Sequence, residues 1–206
     1  MRIPLPKLRE LVEALRAVFS GPYTTKFPKK VDSVDPNFRG ILEFVDEKCI
    51  CCGACVQVCP TNAREIVVDR EKGVIRNMHH ADRCVLCGQC TLYCTVGDAV
   101  HHTTGFDLAR TERADDWHTQ VEKDFARCEC CGEPFASKAQ LRHIAHKVGD
   151  LVSANPTLFL TLYEDLGVAP PALPGRGGEA PYRSGTMRVL CPECRRRTYL
   201  HEEWGY

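Results

Sequence analysis

Two cysteine runs constrain this chain more than any other feature: CICCGACVQVC, from Cys49 to Cys59, and CVLCGQCTLYC, from Cys84 to Cys94. Each reads C-x₂-C-x₂-C-x₃-C, and every position of the first recurs 35 residues later, Cys49 at Cys84, Cys52 at Cys87, Cys55 at Cys90 and Cys59 at Cys94. Three thiolates at this short spacing let a tight loop wrap three corners of a 4Fe–4S cubane. The longer gap turns the fourth thiolate away from its own loop and toward the other cluster. The spacing therefore predicts two crossed ligand sets, Cys49, Cys52, Cys55 with Cys94, and Cys84, Cys87, Cys90 with Cys59. Neither disulfides nor zinc sites predict the doubled spacing. Cys51 lies inside the first run but off its spacing, and reads as a non-ligand.

Between the runs, EIVVDREKGVIRN predicts two short strands, Ile66–Val68 and Val74–Arg76, flanking a turn at Lys72 and Gly73. ILEFVDEKC predicts a strand entering the first cysteine loop, and small helical turns are expected after Cys59 and Cys94. Gly53 and Gly88 occupy matching places where the backbone must come close to sulfide. The expected fold is α+β, a pseudo-symmetric two-cluster bacterial-type ferredoxin over residues 41–106. His79, His80, His101 and His102 bracket the second run and read as polar surface or loop residues without a role.

The ends carry further parts. Residues 5–19 place Leu8, Leu11, Val12, Leu15 and Phe19 at helical spacing, with charges on the opposite face. A ferredoxin is complete without such a helix, so the face is expected to meet a partner or a membrane surface. The Pro- and Lys-punctuated stretch behind it reads as an extended arm, making residues 1–40 a docking segment. Residues 107–127 read as a charged helical connector, opening an extension over 107–206.

Within that extension, CECC (Cys128 to Cys131) and CPEC (Cys191 to Cys194) supply two C-x₂-C pairs. Four thiolates in a tetrahedron suit one closed metal site at Cys128, Cys131, Cys191 and Cys194, zinc by default and a mononuclear iron as the alternative. A zinc ribbon with a helical insertion accounts for the long gap, with helices expected over 137–148 and 156–166 and a Pro/Gly-rich loop behind them. A two-Cys, two-His finger through His143 and His146 fails on spacing, because only two residues separate the histidines. Cys130 is a bystander.

Composition excludes several classes. No uninterrupted apolar stretch reaches the roughly 18 residues of a membrane span, and the N-terminus has no signal-peptide pattern. Fourteen cysteines without that pattern favour a reducing compartment, hence the cytoplasm. With 27 basic and 27 acidic residues the net charge is zero, which argues against nucleic-acid binding through Arg195–Arg197. No nucleophile–base set or nucleotide-binding glycine loop is apparent, so electron transfer without substrate chemistry is the expectation.

The order of parts resembles a known family: the two-cluster ferredoxin subunit of formate hydrogenlyase and hydrogenase-4 complexes, related to the two-cluster subunit of respiratory complex I. The resemblance is carried by VDPNFRG before the first run, by CxxCGACVxxCP and CxxCGxC, and by CxxCGxPF with a distant CPECRR. That last pairing separates the hydrogenase type from the complex I type, which stands as the alternative. Thr95, where the first run has Pro60, departs from the pattern. The resemblance implies a hetero-oligomeric complex, peripheral to the inner face of the cell membrane. There the chain would relay electrons between an electron-input iron–sulfur subunit and the large and small NiFe subunits, beside a membrane-arm subunit.

Overall fold

The computed structural model describes residues 7–21, 24, 26–30, 33–109, 111–112, 118–168 and 187–204. It divides into two compact units, residues 1–38 and 39–206.

In the first unit, α1 spans Leu8–Ser20, and the Lys7 amide donates to Glu10 Oε2 at 3.0 Å to close its first turn. None of its residues is buried; Leu8, Leu11, Leu15, Val18 and Phe19 all lie exposed. The expected helix is present. The arm's residues 22, 23, 25, 31 and 32 lie outside the described residues.

In the second unit, β1 (Leu42–Phe44) pairs antiparallel with β4 (Val100–His102), and β2 (Arg64–Asp69) with β3 (Val74–His80). Contiguous β-branched residues, Ile66–Val67–Val68 and Val74–Ile75, favour the β2–β3 hairpin, whose strands run longer than the sequence suggested. Two single-turn helices, α2 (Ala54–Gln57) and α3 (Gln89–Leu92), carry the third cysteine of each run, Cys55 and Cys90, and end before the fourth rather than following it. Gly53 and Gly88 enter them at φ of 78° and 79°, left-handed values that glycine adopts without Cβ strain.

The expected helical connector is not a helix where it is described. His118–Arg127 forms strand β5, which pairs with β3 along its length, Asn77 opposite Val121. Strand β6 (Pro134–Ser137) completes the order β2-β3-β5-β6. Pairing buries Val121 and Phe125 with Cys49, Cys51, Ile75 and Ala99 in one core. Residues 110 and 113–117 of the connector lie outside the described residues.

Helices α4 (Lys138–Val148) and α5 (Pro156–Asp165) appear as expected, joined by a 3₁₀ stretch, Gly149–Ala154. Leu141, Ala145 and Leu158 pack on Ala126 of β5. Ser137, wholly buried, caps α4 by accepting from the Gln140 amide at 3.0 Å and donates to the Ile50 carbonyl. One hydroxyl thus ties the C-terminal helices to the first cysteine loop. The Pro/Gly-rich loop at 170–185 lies outside the described residues. Helix α6 (Pro192–Trp204) begins immediately after Cys191. Among the described residues no helix is long and apolar enough to cross a membrane.

Candidate metal centres

The last cysteine of each run lies near the other run. Cys59, Cys84, Cys87 and Cys90 line one partly open pocket together with Arg64 and His79. Cys84 senses the negative charge of both Cys90 and Cys59, although burial is the largest cause raising its pKa.

Cys49, Cys52, Cys55 and Cys94 gather on the other side. Cys94 packs against the core that contains Cys49, and Cys52 Sγ lies 3.1 Å from the hydroxyl of Thr95. Buried Asn77 on β3 donates through Nδ2 to Cys55 Sγ at 3.3 Å and approaches Cys49 Sγ at 3.9 Å. The Cys55 pKa is raised, by burial first and also by the charges of Cys49 and Cys52. Cys51, at φ 48°, turns its thiol toward the Val121 carbonyl 3.6 Å away. A hydrogen bond from Cys51 is the main cause lowering the Cys49 pKa.

Surroundings differ between the two groups. Arg64 is 3% exposed, its Cζ lies 4.5 Å above the Phe44 ring, and its Nη2 reaches Cys90 Sγ at 3.6 Å. Its Nε and Nη1 are buried without a partner, and no described carboxylate pairs with it. An unpaired buried cation is costly unless an anion compensates it. A cluster with four thiolate ligands is such an anion, so the donors and charge of this cavity fit the group. His79, opposite Arg64 in the β2–β3 ladder, is 1% exposed, and both ring nitrogens are unpartnered. Burial, then the nearby Arg64 charge, lowers its pKa to about 4.

The surface reading of His79 and His80 is therefore corrected: both are buried on β3. Sequence reasoning also passed over Arg64 and Asn77. The available signal was alternation, since Ile75, Asn77 and His79 share one face of β3 and that face is buried.

The C-terminal cysteines converge separately. Cys128, Cys131, Cys191 and Cys194 each offer a sulfur, all within 4.8 Å of one another. Cys128 follows β5 directly and opens a tight turn, with the Gly132 amide donating to the Cys128 carbonyl at 2.8 Å and the Cys128 amide to the Glu133 carbonyl at 2.9 Å. This half is a hairpin knuckle. The other half is not, because Cys191 precedes α6 and Cys194 lies in its first turn. One knuckle plus one helix N-terminus departs from a two-knuckle ribbon. Burial opposes ionisation of Cys128, but backbone amides of Cys191, Cys131 and Cys130 outweigh it and lower its pKa. Thr157 locks α5 to this site, accepting from the Leu190 amide at 3.0 Å and from Arg195. Cys130 is buried in the same cluster.

Fold and cysteine placement define an iron–sulfur electron-transfer protein of the two-cluster ferredoxin class with a further four-Cys group. Residues 48–98 match the family model described as a 4Fe-4S dicluster domain. The chain is 32% identical over 119 residues to NADH-quinone oxidoreductase subunit I 2 of Geobacter metallireducens, spanning 54% of this chain and 90% of that protein. It is 30% identical over 131 residues to formate hydrogenlyase subunit 6 of Escherichia coli, spanning 61% of this chain and 69% of that protein. Among solved structures, the archaeal membrane-bound sulfane sulfur reductase aligns at a TM-score of 0.40 and 25% identity, covering 54% of this chain and 60% of that one. The chain belongs to the family of two-cluster iron–sulfur subunits that includes NADH-quinone oxidoreductase subunit I and formate hydrogenlyase subunit 6.

Proposed function

We propose that this chain relays electrons between an electron-input iron–sulfur subunit and the NiFe subunits of a membrane-associated hydrogenase complex of the formate hydrogenlyase kind, without substrate chemistry of its own. Bound clusters supply one-electron stops. The chain's own residues hold and tune them: Cys49, Cys52, Cys55 and Cys94 at one, Cys59, Cys84, Cys87 and Cys90 at the other, with Asn77 and Arg64 directed at their sulfurs. The single observation carrying the relay reading is the cavity that brings Cys59 to Cys84, Cys87 and Cys90. Crossed ligation of this kind would hold two clusters close together, as electron transfer requires.

The hydrogenase assignment leans on the likeness to formate hydrogenlyase subunit 6 and on the C-terminal cysteine pairs. We assign zinc to Cys128, Cys131, Cys191 and Cys194, a closed structural site. Residues 1–40 act as the docking segment, 41–106 as the ferredoxin and 107–206 as a partner-facing extension. The protein would sit in the cytoplasm against the inner face of the membrane. The apolar stripe of α1 supports docking, since it is exposed along its length.

A second reading, a subunit of an NADH-quinone oxidoreductase, is favoured by the 90% coverage of the Geobacter relative. Mass spectrometry of proteins co-purifying with the tagged chain separates the two. Recovery of NiFe large and small subunits is the expected result, and recovery of an NADH-binding module without them overturns it.

A further inference from the structure

We propose that His80, Asp82 and His118 form an additional metal site for a divalent first-row ion of the zinc type, separate from the cysteines assigned to the other centres. His80 closes β3, Asp82 sits in the 3₁₀ turn directly behind it, and His118 opens β5. His80 and His118 are register partners on neighbouring strands, which brings their rings to 4.7 Å between centroids at 69°. One ligand atom from each of the three residues lies within 4.8 Å of the other two.

Two further observations point to an ion. Nδ1 of His80 and Nδ1 of His118 are both buried without a hydrogen-bond partner. Buried polar atoms in a folded protein are otherwise satisfied, and an edge-to-face ring contact does not satisfy a ring nitrogen. On its other side, His80 Nε2 lies 3.2 Å from Glu65 Oε2. A carboxylate at one ring nitrogen holds the proton there and leaves the opposite nitrogen as a lone pair. This carboxylate–histidine arrangement characteristically backs metal ligands.

Two imidazoles and one carboxylate suit zinc among first-row ions and leave a fourth position for water or a partner's ligand. At metal–ligand bonds of about 2.0–2.2 Å, tetrahedral ligands sit about 3.4 Å apart. Exposed Asp82 can supply the remaining closure by a change of rotamer and leaves the site an entry from solvent.

The test uses the full-length chain with both clusters assembled. It is equilibrated anaerobically with Zn²⁺, desalted, and read by zinc and iron content and by zinc X-ray absorption. Wild type is expected to hold one zinc more per chain than His118→Ala, at equal iron. Its zinc spectrum should show a nitrogen shell that His118→Ala lacks and Cys128→Ser retains. Should His118→Ala lose iron through misfolding, the exposed Asp82→Asn decides, with zinc at this site bound at least about tenfold more weakly expected. Equal zinc in wild type and a folded variant, or a spectrum of sulfur ligands alone, overturns the proposal.

Discussion

Removing the Arg64 guanidinium should move the potential of one cluster and spare the other. Its Nη2 is 3.6 Å from Cys90 Sγ, and its remaining nitrogens have no partner. An electron entering a cluster held by Cys59, Cys84, Cys87 and Cys90 would spread over the whole cubane. With an effective charge separation of about 6 Å and an effective dielectric constant of about 20, Coulomb's law gives about 3 kcal/mol. For a one-electron couple, at about 59 mV per tenfold change in equilibrium, this is roughly 120 mV. Arg64→Gln should therefore make that cluster harder to reduce by about this amount, while Arg64→Lys, which keeps a charge, should shift it less. EPR-monitored redox titration of the full-length protein resolves the two one-electron transitions. Asn77→Ala supplies the counterpart, because its amide faces Cys49 and Cys55. The reasoning fails if Arg64→Gln leaves both transitions in place, or if both variants move the same one.

Cys59→Ser should damage the cluster held by Cys84, Cys87 and Cys90 more than the cluster held by Cys49, Cys52 and Cys55, seen as selective loss of one EPR signal. Deleting residues 1–20 should leave the iron content unchanged while releasing the chain from its complex in a pull-down. Ser137→Ala removes both a helix cap and the tie to Ile50, and should cost about 1–2 kcal/mol by chemical denaturation of the iron-loaded protein. Metal analysis without added zinc should give about eight irons per chain, with zinc at Cys128, Cys131, Cys191 and Cys194. Roughly nine irons with a mononuclear ferric-thiolate EPR signal would reassign the four-Cys site to iron.

The cluster hairpin was readable because two β-branched runs, Ile66–Val67–Val68 and Val74–Ile75, flank a glycine turn. Residues 118–127 were misread for a physical reason. Val121 and Phe125 stand four apart, a spacing that shares one face in a helix and equally in a strand, and the Glu and Lys between them favour helix. What decides is long-range pairing with β3, which a local pattern does not contain. The C-terminal pair was misread as a second knuckle although Pro192 was visible. Proline at the first helical position signals a helix start, and α6 begins there. Convergence of Cys128 with Cys191 across about 60 residues was legible only from ligand chemistry.

The 35-residue repeat treats its two cysteine runs as equals, and the fold does not. In one group Cys49 and Cys94 lie in a core with Val121 and Phe125 of β5, and Cys55 receives a neutral amide from Asn77. The other borders a cavity containing a buried guanidinium and a histidine held neutral near physiological pH. A neutral donor stabilises added charge on sulfur less than a cation at similar range. On these terms a cluster held by Cys59, Cys84, Cys87 and Cys90 would be the more easily reduced. An electron passing through the chain would pause there, on the side of Arg64. The repeat supplies two stops, and the β2–β3 ladder, which seats Arg64 opposite His79 and Asn77 opposite Ile66, makes them unequal.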